Sequence, residues 1–164
     1  MFNKGKKEAN FIRKAFGKII SKKAIENIVN GEIKVSEMVE KESGFILLLI
    51  EDDEYLLDNI RKNIEFFVEQ KMVVESIDSV FIKLYIGALA FENNLYISEM
   101  LEDIIVKYKA AKLPFYSCLY GKSICRIGFI GSEIRMDYCV IIPEYKDKLL
   151  SLLTMEKNEI KLVE

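Results

Sequence analysis

Apolar and polar positions alternate along this chain with two different periods. Phe11, Ile12, Ala15, Phe16, Ile19 and Ile20 recur at a spacing near 3.6 with lysines on the opposite side, which predicts an amphipathic lead helix. Ser21 stands where an N-cap belongs, Ala24, Ile25, Ile28 and Val29 share the next stripe, and Asn30-Gly31 supplies a stop, so the lead reads as two short helices. After a charged connector over 36–43, residues 45–50 form an unbroken apolar run, the mark of a strand buried on both faces, which ends abruptly in Glu51-Asp52-Asp53-Glu54. Tyr55, Leu56, Ile60, Ile64, Phe67 and Val68 then repeat at helical spacing up to Gln70. Residues 72–77 and 80–86 read as two strands joined at Asp78-Ser79. A second amphipathic helix covers 96–111, with Ile97, Met100, Leu101, Ile104, Ile105 and Tyr108 on its apolar side. Strands are predicted at 115–120, 124–130 and 138–142, the last stopping at Pro143; a helix at 145–155 and a short tail at 160–163 close the chain.

The order β-α-β-β-α-β with additions predicts an α/β (α+β) fold, a ferredoxin-like antiparallel sheet with helices on one face. With 164 residues the chain is long enough for one core and short for two ordinary domains. It contains no run of eighteen apolar residues and no signal-peptide pattern at Met1, so a cytoplasmic protein is expected. Cys118, Cys125 and Cys139 are an odd count without C-x-x-C spacing and are expected to be free buried thiols. The absence of histidine excludes Ser-His-Asp and Cys-His nucleophile activation and the usual His-containing zinc sites, leaving carboxylates, lysines, arginines and thiols for any catalysis.

The net charge of -2 hides an asymmetry. Residues 1–23 hold eight Lys/Arg against Glu8 alone; taking these from the whole-chain totals of 24 and 26 leaves sixteen basic and twenty-five acidic residues, a balance of -9. Such a lead is expected to stay solvated or dock on the body's own acidic face, with contact to a membrane surface by residues 1–23 as the minority reading. Nucleic acid is not indicated, because the basic residues concentrate in the lead, the pI is near 5.5 and no RNP, helix-turn-helix or zinc-ligand pattern accompanies them.

Gly128-Phe129-Ile130-Gly131-Ser132, followed by Arg135-Met136-Asp137-Tyr138-Cys139-Val140-Ile141, resembles the G-N-I-G-S and R-x-D-Y-T-V-I-G signature of class III nucleotide cyclase catalytic domains. Phe16-Gly17-Lys18-Ile19-Ile20-Ser21 and Gly31-Glu32-Ile33-Lys34 are similar to the F-G-x-Y-V-S-P segment and G-E-I/V-K step that precede bacterial adenylate and guanylate cyclase domains. The resemblance implies a cyclase-homology domain over 36–164 behind a basic helical lead over 1–35. It also implies a head-to-tail dimer whose shared sites take two metal-binding aspartates from one chain and base-reading and transition-state groups from the other. The chemistry explains that division: two divalent cations activate the ribose hydroxyl and neutralise the triphosphate, while donors stabilise the transferred phosphoryl group.

Carried onto this chain, the resemblance puts Glu51 at the first metal position, with Asp52 beside it, and Val80 at the second, where no metal can be coordinated. A register shift of two would bring Asp78 there, although Asp78 is more simply a turn residue. The base-reading positions fall on Ser76 and Cys139, where guanylate-specific members carry glutamate and cysteine; Glu75 lies one residue off, a slip that would turn its side chain to the other sheet face. The transition-state asparagine falls on Lys146 and the arginine on Leu150, which offers no donor. The G-F-T turn that opens a phosphate-cradling helix is replaced by Asp52-Asp53-Glu54.

The resulting expectation is a cyclase-homology domain without catalytic residues, acting as a homodimer or as the partner of another cyclase-type domain in regulation. Tyr85, Tyr116, Tyr120 and Tyr138 are candidates to cover the dimer surface or to be core. Two alternatives accompany it: an active purine nucleotide cyclase using Glu51, Asp52 or Asp78 for magnesium or manganese and Lys146 for phosphate, and a domain that senses nucleotide in a pocket lined by Ser76 and Cys139 without turnover. No cofactor is expected unless the nucleotide site functions.

Overall fold

The computed structural model describes residues 26, 30, 38–87, 96–131 and 136–163. The two expected lead helices lie outside the described residues apart from Glu26 and Asn30, whose main chains share one hydrogen bond of 2.8 Å. The elements run β1 (Val39–Leu49), α1 (Leu56–Glu69), β2 (Val73–Asp78), β3 (Phe81–Ile86), α2 (Ile97–Ala111), β4 (Ser117–Gly131), β5 (Met136–Ile141), α3 (Tyr145–Thr154) and β6 (Glu159–Val163). The strands are ordered β2-β3-β1-β4-β5, with β6 also paired to β4. β1 is antiparallel to both β3 and β4, so β1 to β4 with α1 and α2 form the ferredoxin-like unit that the element order predicts. None of the described helices is long and apolar enough to cross a membrane.

Alternation along the central strands builds two cores. Ile46, Leu48 and Ile50 of β1 join Ile82, Leu84 and Ile86 of β3 beneath α1 and α2. There Tyr108 stacks on Phe66, Phe67 and Phe115 with ring centroids 4.7 to 5.4 Å apart. Asn63 of α1, fully buried, donates to the carbonyls of Asn59 and Pro114 at 2.8 and 2.9 Å and accepts from the Tyr108 hydroxyl. Phe45, Leu47 and Leu49 point the other way, where Tyr85, Leu119, Cys125, Ile127 and Val140 meet Leu152 of α3. The two crossover helices thus share one face as expected, and the added α3 covers part of the opposite one.

Three strand boundaries differ from the sequence reading. β1 begins six residues earlier, because the polar stretch before Phe45 still pairs main chain to main chain, Val39 opposite Ile127 and Ser43 opposite Ser123. The strands expected at 115–120 and 124–130 are one strand, β4, running straight through Gly121. Gly121 is there for close approach and not for a turn: a Cβ on it would collide with the main-chain oxygen of Val163 on β6. The tail expected at 160–163 is that strand, parallel to the first half of β4.

Candidate functional site

The end of β1 leads straight to the first candidate position. Ile50 donates its amide to the Val80 carbonyl at 2.8 Å, so Glu51 emerges beside the β2-β3 turn, as the resemblance requires of two metal positions. The groups there do something else. Lys157, in the loop between α3 and β6, places its ammonium 2.6 Å from both carboxylate oxygens of Glu51. The loop is fixed by the amide of Asn158, which donates to the Tyr116 carbonyl at 2.6 Å. Asp52 is exposed. Asp78 is the exposed last residue of β2, opposite Phe81, and Ser79 takes the left-handed conformation of the turn at φ 55. Val80 adds no ligand, and among the described residues no three His, Cys, Asp or Glu side chains gather around a common point. These residues do not fit a two-metal centre.

Asp53 closes the turn that leads into α1. Its carboxylate accepts the Tyr55 amide at 2.8 Å and its carbonyl accepts the Leu56 amide at 3.1 Å. The helix start that the resemblance reserves for phosphate therefore carries the chain's own anion.

The second candidate group lies across the sheet. β2 bulges between Val74 and Ser76, leaving Glu75 as the extra residue, with Ser76 opposite Lys83. The one-residue slip that would send Glu75 to the other face is corrected by this bulge. The Glu75 carboxylate lies 3.7 Å from the Lys83 ammonium and accepts the Val140 amide of β5 at 3.4 Å. Ser76 donates to Glu75 at 3.4 Å. Lys83 in turn sits 4.4 Å above the Tyr145 ring. Cys139 pairs with Gly128 and alternates with the core residues Val140 and Ile142, so the register turns it to the other face of β5.

Lys146 is exposed on the first turn of α3, and Leu150 is half exposed. The lysine that α3 buries is Lys148, which donates to the Pro143 carbonyl at 3.2 Å, lies 3.8 Å from Glu144 and sits 6.0 Å from the Phe45 ring centre. The sequence carried its signal, since Lys148 and Leu152 are four apart on one helical stripe. Tyr85 is fully buried, which removes it from the candidate dimer surface; Tyr116 and Tyr120 are half-buried against the cores, and the Tyr138 side chain lies outside the described residues. Cys118 and Cys125 are buried free thiols, pushed up by burial to about 12 and about 11, whereas Cys139 is only half-buried. Burial raises the Tyr85 hydroxyl well above the ordinary tyrosine range, and the Glu75 charge adds to it.

No family model matches the chain, and no curated protein matches it. Solved structures do. The guanylyl cyclase Cya2 is similar with a TM-score of 0.55 at 11% identity, over 76% of each chain. The adenylyl cyclase CyaB from P. aeruginosa has a TM-score of 0.55 at 13% identity, over 77% of this chain and 78% of its own. The guanylate cyclase domain of RhGC from Catenaria anguillulae, in complex with GTP, has a TM-score of 0.55 at 10% identity, over 77% and 80%. Likeness at these identities concerns the fold: the six-stranded sheet with its three described helices is the fold of nucleotide cyclase catalytic domains.

Proposed function

We propose that this chain is a non-catalytic cyclase-fold domain that acts by pairing, as a homodimer or with another cyclase-type domain, in cytoplasmic regulation of cyclic-nucleotide signalling. The observation that carries the reading is the Lys157 ammonium on both oxygens of Glu51, the one carboxylate at a metal position. A divalent ion at Glu51 would have to displace that ammonium, and Val80 supplies no second ligand in compensation. Asp53 adds negative charge at the helix start where a triphosphate would need positive potential. Leu150, at the arginine position, cannot stabilise a developing phosphoryl charge.

Size-exclusion chromatography with light scattering at high micromolar concentration tests the pairing. A dimer is expected, alone or on mixing with an intact cyclase domain; a strict monomer in both experiments refutes the reading.

A second reading, nucleotide sensing without turnover, draws support from the bulge that brings Glu75 onto the face where Ser76 lies. Calorimetry with non-hydrolysable ATP and GTP analogues and excess manganese separates the two: saturable heat with the GTP analogue supports sensing, and none supports pairing alone.

A further inference from the structure

The two ends of the sheet are four strands apart in order, yet side chains from one end hold the main chain of the other. Both polar main-chain groups of Val140 are taken in this way: its amide donates to Glu75 of β2 and its carbonyl accepts the Tyr85 hydroxyl of β3, each at 3.4 Å. Val140 is thus bound as a neighbouring strand would bind it, but by two side chains in place of a ladder. Lys83 extends the seam by reaching Glu75 at 3.7 Å and the Tyr145 ring at 4.4 Å.

The two cores are held very differently. The face under α1 and α2 has a 14-residue and a 15-residue helix, four stacked rings and the short, fully buried Asn63 network. Among the described residues, the opposite face carries the 10-residue α3, which starts at a left-handed Glu144 with no side-chain cap and is tied to β4 by the Ser117 hydroxyl on the Leu152 carbonyl at 2.9 Å, together with the long contacts at Val140. Regions with fewer buried contacts and weaker hydrogen bonds open first in a cooperative domain.

We propose that Glu75 and Tyr85 form a latch on Val140, and that its release opens the α3-side core as a unit while the helix-covered core stays closed. The latch is a conformational device independent of the pairing reading. It controls access to the apolar interior made by Phe45, Leu47, Leu119 and Ile127.

The chain carries a reporter in each core: Cys118 belongs to the helix-covered cluster and Cys125 to the latched one, and both are fully buried. The experiment is native-state thiol labelling of the full chain carrying Cys139→Ser, followed by peptide mass spectrometry. Cys125 is expected to label at least about tenfold faster than Cys118. Tyr85→Phe and Glu75→Ala are each expected to speed Cys125 by roughly five- to tenfold, the range of one lost hydrogen bond, with Cys118 unchanged. Glu75→Gln, which keeps an acceptor for the Val140 amide, is expected to change the rate less than Glu75→Ala. Equal labelling of the two thiols, parallel acceleration of both, or a Cys125 rate indifferent to Tyr85→Phe and Glu75→Ala overturns the latch.

Discussion

Lys157 and Glu51 lie 106 residues apart in the chain, and the ammonium of one meets both carboxylate oxygens of the other at 2.6 Å. The pair joins the end of β1 to the loop before β6. Its side chains are 52% and 37% exposed, so solvent screens it, and its contribution to stability is expected to stay within about 1 kcal/mol. Lys157→Ala and Glu51→Ala should each lower the urea unfolding free energy by no more than that, and the double variant by no more than the larger single effect. A loss well above this, or full additivity, would contradict a screened pair.

Tyr108 and Asn63 form the contrasting case, since both are buried and their hydrogen bond has no water to replace it. Tyr108→Phe keeps the ring stack and removes only the hydroxyl, leaving the Asn63 carbonyl oxygen without its donor. A destabilisation of about 1–3 kcal/mol is expected in urea titrations. An effect near zero would show that Asn63 finds another donor.

At Gly121 of β4 a side chain would collide with the Val163 main chain of β6. Gly121→Ala should push β6 outward, cost about 1–3 kcal/mol and selectively speed amide exchange over 159–163. Unchanged exchange in β6 would refute the close-approach role.

The buried thiols fix an alkaline limit. Unfolded, Cys118 and Cys125 titrate near 9.0; folded, burial holds them at about 12 and about 11. Between pH 9 and pH 11 the unfolded chain has therefore released protons that the folded chain keeps, and stability falls as pH rises. Each thiol contributes up to roughly 1.4 kcal/mol per pH unit in that window and nothing below it. Tyr85 and Tyr108, also raised by burial, act in the same direction above their ordinary value of 10.0. Urea midpoints should be level from pH 7 to 8.5 and then drop, and Cys118→Ala should flatten the drop; a midpoint that rises above pH 9 would contradict this.

Much of the fold was legible because period and punctuation agreed. Apolar spacing gave helices at 55–70 and 96–111 where α1 and α2 span Leu56–Glu69 and Ile97–Ala111, and Asp78-Ser79 marked the hairpin turn. The strands expected at 115–120 and 124–130 are one because Gly121-Lys122-Ser123 interrupts the apolar pattern while its main chain goes on pairing with β1. The polar start of β1 was illegible for a related reason: its pairing is main chain to main chain and leaves no apolar signature. At the candidate site, Glu51, Asp52, Ser76, Cys139 and Lys146 could be named from the motif, but the bulge that turns Glu75 inward is a backbone event between Val74 and Ser76. Lys157 was invisible for lack of any motif, as its role comes from a loop that folding brings across to β1.

The central claim is that this cyclase fold does no cyclase chemistry, and turnover measures it directly. The purified full chain is incubated with manganese and ATP, then GTP, beside the Glu51→Ala, Asp52→Ala double variant, and cyclic nucleotide is quantified by mass spectrometry. The expected result is no product above the double variant with either nucleotide. Cyclic nucleotide formed by the natural sequence and lost in the double variant would contradict the account and return Glu51 and Asp52 to a metal site.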